Sequence, residues 1–349
     1  MDLYNLGKVS WQESQLLYHA LAYSGSDALV LLSPSTPYVC IGFHQDAEAE
    51  VDLDFCQSNN IPVFKREVGG GAVYLDGNQF FFQLIMKQDN PLIPPNKEVF
   101  YQKFLQPVID TYHQIGIPVE FKPVNDVLAG TRKISGTGVG EIGESVVFVG
   151  NLILDFNFEM MSRVLKVPDE KFRDKVHKTL EENLTTIRRE LDLTEASKWN
   201  ETNLNEILKS QFQKLLGEFQ EKQIDDSLRS KMDEISSTML GPDWLHQHGR
   251  KQSGRQVKIQ TGVNIVQKMH KAVGGLIKAT YELRDEMLFD VALSGDFFCY
   301  PSNAVDTLES KLEGIKVSDL QKTLDHFYSD QNVDTAGITV SDWMMVLHN

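Results

Sequence analysis

The sequence has few cysteines, little positive charge and no long apolar runs. Its three cysteines, Cys40, Cys56 and Cys299, form no Cys-x-x-Cys pair, which excludes a disulfide framework and the common zinc spacings. The net charge of −15 disfavours nucleic acid as a partner, because such a surface repels phosphates. No window approaches the ~18 apolar residues of a membrane-spanning helix, so no membrane partner is predicted. The acidic first residues do not form the apolar segment of a signal peptide, so we expect a cytoplasmic protein.

The composition that remains, with 41% hydrophobic residues, is typical of a globular protein with a large core. Apolar spacing predicts an early helix over 11–23, and most of 159–240 has helical patterns. β-Prone runs lie between these helices without a regular βαβ rhythm, which predicts an α+β fold. The polar, basic stretch 246–256 is a candidate linker between a domain of residues 1–245 and a smaller α+β domain of residues 257–349, where we expect a hairpin followed by two helices.

Three consecutive glycines follow a pair of cations in the stretch KREVGGGAVY. Glycines at 69, 70 and 71 allow a ligand to reach backbone N–H groups, which together form an anion site. Arg66, just upstream, has the geometry to bind a carboxylate or a phosphate through two hydrogen bonds. The alternative is a tight turn between two strands, and these residues alone do not separate the two interpretations.

A second cation pair, Arg132 and Lys133, lies in the glycine-rich stretch NDVLAGTRKISGTG. A lysine in such a strand is most often solvated, and Asn125-Asp126 alone would be read as a turn. Two glycine-rich stretches that each carry cations could nevertheless meet around one anionic ligand. We therefore expect both stretches in one site.

Together these stretches resemble the lipoate–protein ligases of the biotin/lipoate ligase superfamily. The resemblance covers the Gly42 and Gln45 stretch, residues 61–86, and residues 125–154. The tail 274–301 resembles the family's small accessory domain. The resemblance implies a mixed-sheet α+β catalytic domain over 1–245, joined to an α+β accessory domain.

The resemblance also implies a two-step reaction. Lipoate or octanoate reacts with MgATP to give an acyl-adenylate, and the acyl group then passes to one lysine of a lipoyl-domain or glycine-cleavage H-type protein. By family match, Lys133 would bridge the acyl carboxylate and the α-phosphate. Asp126 would orient or deprotonate the acceptor lysine, with Mg²⁺ or adenine binding as rival roles. The resemblance identifies no metal ligands, and we expect a monomer.

The implied ligand contacts fall into two sets. The expected ATP and lipoyl-AMP ligands are Arg66, Gly69, Gly70, Gly71, Ala72, Val73, Asn78, Asn125, Lys133 and Gly136. The expected lipoate pocket consists of Gly42, Val68, Val73, Phe82 and Ile134, for which core packing is the alternative role.

The chain departs from the family at two histidine positions, which fall at Leu75 and near Val149. These losses keep two other interpretations open. One is an ATP-independent octanoyl or lipoyl transferase, which needs a reactive cysteine, and Cys40 is the cysteine nearest the motifs. The other is a non-catalytic homologue that binds lipoyl groups. We also expect residues 257–349 to move between the two half-reactions.

Overall fold

A computed structural model describes residues 1–123, 125–248, 264–329 and 333–348. The strands β1 to β14 are Asp2–Val9, Ala28–Pro34, Tyr38–Ile41, Val63–Lys65, Val73–Leu75, Gln79–Lys87, Glu120–Lys122, Asp126–Ala129, Arg132–Ile142, Ser145–Ile153, Gln220–Glu221, Asn264–Ala272, Gly275–Arg284 and Met287–Gly295. The helices α1 to α14 are Trp11–Tyr23, Ala47–Glu50, Leu53–Ser58, Lys97–Gln114, Phe158–Val164, Glu170–Asn183, Ile187–Glu190, Leu193–Ala196, Glu201–Leu216, Asp226–Met239, Pro242–Leu245, Ala304–Leu312, Leu320–Ser329 and Val340–Leu347. A 3-10 turn covers Val317–Asp319. Among these residues, no helix is both long enough and apolar enough to span a bilayer.

The main sheet has eight strands in the order β11-β1-β2-β6-β10-β9-β8-β7. The neighbours β1 and β2 are parallel, while β2, β6, β10, β9 and β8 pair in antiparallel fashion, so the sheet is mixed. Helix α1 covers the predicted span 11–23; it begins at Ser10, whose hydroxyl accepts from the Glu13 N–H in a capping box, and it packs on β2 and β6. This packing buries the apolar runs that the sequence shows as strands.

A second sheet of three short strands, in the order β4-β3-β5, holds both ends of the glycine-rich segment. Strand β3 is parallel to β4 and antiparallel to β5. Because β4 ends at Lys65 and β5 begins at Val73, residues 66–72 pass over the end of β3. We call residues 66–72 the glycine loop.

The C-terminal part has its own three-stranded antiparallel sheet, β12-β13-β14, and a separate hydrophobic core. The expected hairpin corresponds to β13 and β14, but β12 adds a strand and α14 adds a helix that the sequence patterns did not indicate. Residues 249–256 of the candidate linker lie outside the described residues, and the domain bounds stay a prediction.

The two parts are joined through residues 295–300, which we call the strap. The Gly295 N–H donates to the His44 carbonyl oxygen at 3.0 Å, and the Tyr300 hydroxyl donates to the Val139 carbonyl oxygen at 3.0 Å. Phe298 and Tyr300 belong to the core of the main domain, although they follow β14 of the accessory sheet. The strap therefore places accessory-domain side chains beside β9.

Gly150, on β10, is required by the close packing of the main sheet. A Cβ at this position would lie 2.8 Å from both Phe82 Cε1 and Thr137 Cγ2. We expect Gly150→Ala to reduce the free energy of unfolding by about 2 kcal/mol, because the core must shift to admit it. Urea denaturation measures this, with Gly71→Ala as the control, since its added Cβ would meet Asp296 Cβ only at 3.7 Å. Equal midpoints for the two variants would contradict the packing argument.

Candidate active site

A cavity of about 730 Å³ lies between the main sheet, the glycine loop and the strap. Its floor consists of side chains from neighbouring strands β9, β10 and β6 that share one face of the sheet. Two rows form this floor: Gly138, Val149 and Gln83 in one, and Gly136, Asn151 and Phe81 in the other. Both of the glycine-rich stretches found in the sequence therefore face a single cavity.

The glycine loop covers the cavity because it lies directly against the end of β3. A Cβ on Gly42 would overlap the Gly70 carbonyl oxygen and lie 2.9 Å from its carbonyl carbon. Gly70 itself has a φ of +93°, a conformation that favours glycine. Arg66 Nη2 donates to the carbonyl oxygens of Gly69 at 2.8 Å and Gly71 at 3.0 Å. The Arg66 guanidinium thus stabilises the conformation of the glycine loop. The expected contact of Arg66 with phosphate stays a prediction.

Lys133 and Asp126 form an ion pair in the cavity, with Nζ 2.6 Å from Oδ1. They meet because β8 and β9 are neighbours with a register shift, in which Leu128 pairs with Lys133 while Asp126 pairs with Gly136. Gly136 leaves room for the lysine, since an added Cβ would lie 3.5 Å from Lys133 Cε. Both side chains are about one third exposed, at 35% and 30%, so a ligand can reach them.

The structure brings most of the expected nucleotide contacts together. The expected residues that line the cavity are Arg66, Gly69, Gly70, Gly71, Ala72, Val73, Asn125, Asp126, Lys133 and Gly136. Asn78 instead lies in a separate open depression with Lys8 and Glu201. Lys122, Lys271 and Asp296 also line the cavity, and the sequence patterns did not single them out.

The expected lipoate pocket needs a correction in placement. Phe82 and Ile134 are fully buried in the core on the other face of their strands, because alternation along a strand turns Phe81 and Lys133 toward the cavity instead. Val68, itself part of the glycine loop, is buried with its side chain against Gly138 and Gly140. Gly42 supports the loop from below. Of the expected set, Val73 lines the cavity. Other apolar side chains that line it include those of Tyr18, Leu75, Phe81, Val149 and Phe298.

Comparison with known proteins identifies the family. The lipoyl protein ligase A/B catalytic domain matches residues 8–236. The chain belongs to this family. Lipoate–protein ligase 2 of Staphylococcus aureus is 26% identical over 314 residues, which are 85% of this chain and 86% of that protein.

Solved structures agree with the fold. A bipartite lipoate protein ligase from Thermoplasma acidophilum, studied with its E2 lipoyl domain, is 25% identical with a TM-score of 0.59 and covers 72% of this chain and 98% of its own. A lipoate–protein ligase A bound with ATP shares the fold at 22% identity, with a TM-score of 0.56 and coverages of 70% and 98%. The resemblance to lipoate–protein ligases and the mixed α+β fold are thereby confirmed, and the chain is an enzyme of the ligase class.

The two positions at which the resemblance implies histidine contribute apolar surface here. Leu75 and Val149 both line the cavity, together with Phe81 and Tyr18. Cys40 lies at the same cavity, but it is fully buried, and burial raises the pKa of its thiol despite the neighbouring Arg66. A raised pKa disfavours the thiolate that a nucleophile requires.

Glu67, inside the glycine loop, lies in a partly buried polar cluster that the sequence did not indicate. Its carboxyl accepts a hydrogen bond from the Tyr23 hydroxyl at 2.6 Å and lies 3.7 Å from His19 Nε2. Burial raises the pKa of Glu67 to about 7 and lowers the pKa of His19 to about 3. Near neutral pH, the histidine is therefore uncharged and Glu67 is close to its midpoint of ionisation.

We expect Glu67→Gln to stabilise the fold above pH 7. The folded state holds the Glu67 proton more tightly than the unfolded chain, whose carboxyl has an ordinary pKa of 4.5, so the wild type loses stability as pH rises from about 4.5 to 7. Gln cannot ionise, and its gain over the wild type should be about 3 kcal/mol at pH 8 and below about 1 kcal/mol at pH 5. Urea denaturation at both pH values measures this, with the exposed Glu144→Gln as control. A gain that is equal at both pH values would contradict the assignment.

Proposed function

We propose that this chain is an ATP-dependent lipoate–protein ligase. It activates lipoate or octanoate as acyl-AMP and then transfers the acyl group to a specific lysine of a lipoyl-domain or H-type protein. The observation that supports this best is the Lys133–Asp126 pair, which faces the glycine loop across one cavity. A cation that faces a glycine-rich backbone loop suits two anions that must react with each other.

In the first step, a carboxylate oxygen of the acyl substrate attacks the α-phosphorus of ATP. The new carboxyl–phosphorus bond forms as the bond to the β-phosphate oxygen breaks, and pyrophosphate leaves. Both reactants are anionic, so positive charge must hold them together. Lys133 is suited to contact both, and Lys122, Lys271 and Arg66 add positive charge along the same cavity in a chain with a net charge of −15.

The acidic groups in the cavity fit Mg²⁺ that arrives with ATP. Within the described residues, no group of three or more His, Cys, Asp or Glu side chains is arranged to hold a metal. Mg²⁺ in nucleotide sites needs only one or two carboxylates beside phosphate oxygens and water. Asp296 lines the cavity and would supply one, and metal binding by Asp126, which also lines it, is the rival to its role in the second step. When bound, Mg²⁺ neutralises charge on the phosphates.

In the second step, the acceptor lysine attacks the acyl carbonyl carbon as a neutral amine, and AMP leaves with the former carboxylate oxygen. An amine of ordinary pKa near 10.4 must first lose its proton. Asp126 would accept a hydrogen bond from this amine, a role supported by its partly exposed carboxylate beside Lys133. The relative from Thermoplasma, studied with its E2 lipoyl domain, supports a lipoyl domain as acceptor.

The first test is the intact mass of a lipoyl domain or H-type protein after incubation with the chain, lipoate and Mg²⁺. We expect a lipoyl-sized gain only when ATP is present. Lys133→Ala should lower the rate about 100-fold, because one lost preorganised donor costs roughly 3 kcal/mol in the barrier. Lys87→Ala, at the exposed end of β6, is the matched control and should keep the wild-type rate. A gain that needs no ATP, or an unaffected Lys133→Ala variant, would refute the proposal.

Cys40→Ala separates ligation from transfer through an acyl-cysteine. Since burial raises the pKa of the Cys40 thiol, we expect this variant to keep at least about one third of the wild-type rate with ATP. The same mass assay measures it, with octanoyl-acyl carrier protein offered as the rival donor. Complete loss in a folded variant, together with modification from that donor, would support the transferase instead.

A further inference from the structure

Phe298 of the strap is a buried apolar side chain that the accessory domain adds to the cavity beside the glycine loop. It is buried, with 7% of its surface exposed, and it groups with the main-domain core, whereas its neighbour Phe297 groups with the accessory core. The Phe297 carbonyl oxygen accepts from the Gly70 N–H at 3.3 Å. The backbone thus fixes the strap on the glycine loop, and Phe298 points into the adjoining cavity.

The ring of Phe298 occupies space that two glycines leave free. A Cβ on Gly70 would lie 3.2 Å from Phe298 Cζ, and a Cβ on Gly138 would lie 3.2 Å from Phe298 Cε1. Gly70 is in the glycine loop and Gly138 is in the cavity floor, so the ring touches both walls. The absence of side chains at these positions is what admits the ring.

Phe298 lies beside the apolar end of the cavity. Gly138 pairs with Val149, and Val149 pairs with Gln83, in the same row of the floor. The apolar lining continues from this row through residues Phe81, Leu75 and Tyr18. Lys133, Asp126, Asn125 and Lys122 lie toward β7 and β8. A carboxylate at Lys133 would therefore direct its hydrocarbon chain away from β8 across the cavity floor, beside the row that the ring covers.

We propose that Phe298 determines which acyl chains fit, so that the acyl pocket is complete only with the accessory domain in place. The proposal rests on the proposed function for the class of substrate, a medium-chain carboxylic acid. The ring closes the pocket over Gly138 and limits the length and bulk of the chain. One extra or missing methylene in an apolar pocket changes the preference between two substrates roughly 10- to 200-fold.

The test compares the binding of octanoate and decanoate to the full chain by calorimetry without ATP. Phe298→Ala should weaken octanoate about tenfold and raise the decanoate-to-octanoate affinity ratio about tenfold, because the pocket becomes larger. Phe298→Trp should move the ratio the opposite way, and this variant keeps the test decisive if the alanine variant does not fold. Tyr300→Phe is the matched control: it removes the hydrogen bond to Val139 across the same interface and no cavity wall, so the ratio should stay within about twofold.

Pyrophosphate release with the same acids, ATP and Mg²⁺ separates this inference from the proposed function. A shifted binding ratio without pyrophosphate release in the wild type would support the role of Phe298 and refute the ligase. An unchanged ratio in an active Phe298→Ala variant would refute the role of Phe298 alone. Weakened ATP binding with an unchanged acid ratio would show that the ring contacts the nucleotide, and failure of the wild type to bind either acid would also overturn the inference.

Discussion

The site depends on a contact between two stretches of backbone, the glycine loop and the end of β3. Gly42 lies against Gly70 so closely that a Cβ on Gly42 would overlap the Gly70 carbonyl oxygen. Arg66 then fixes the loop by donating to the carbonyl oxygens of Gly69 and Gly71, and Nη1 donates to the Cys40 carbonyl oxygen at 3.3 Å. Charge-assisted bonds of this kind are stronger than neutral ones. This arrangement fixes the wall of the cavity and the position of Glu67. It also fixes the backbone to which the strap binds through the Phe297 carbonyl oxygen.

Strand β9 provides the matching surface. Gly136, Gly138 and Gly140 alternate along one of its faces, where neighbouring side chains approach the strand closely. Lys133 lies near the first, Phe298 and Val68 contact the second, and Val68 contacts the third. The same strand therefore presents the cation of the site, receives the glycine loop and receives the accessory domain. This explains why glycines recur in a strand where they otherwise weaken the sheet.

The two positions at which the resemblance implies histidine lie at one end of the cavity, away from the ion pair. Leu75 and Val149 extend the apolar lining, while the ion pair of Lys133 with Asp126 remains at the polar end. An apolar chain gains from such a change, since each buried methylene contributes about 0.8 kcal/mol. Under the proposed function, this difference bears on the fit of the acyl substrate, and the charges at the polar end are those that activation would need.

The α+β class, helix 11–23 and the glycine-rich segment were predictable from the sequence, because glycine runs and apolar periodicity are local signals. That Arg66 and Lys133 line one cavity depends on the pairing of distant strands, and the sequence indicated it only through the resemblance to a family. It placed Phe82 in the pocket, and only the tertiary structure showed that Phe81 faces the cavity, since a run of three phenylalanines does not reveal the phase of alternation. The positions of Phe298 at the cavity and of Glu67 beside Tyr23 and His19 likewise depend on the tertiary structure. Phe298 lies more than 200 residues from the glycine loop in the chain, and Glu67 acquires its raised pKa from burial beside His19 and Tyr23.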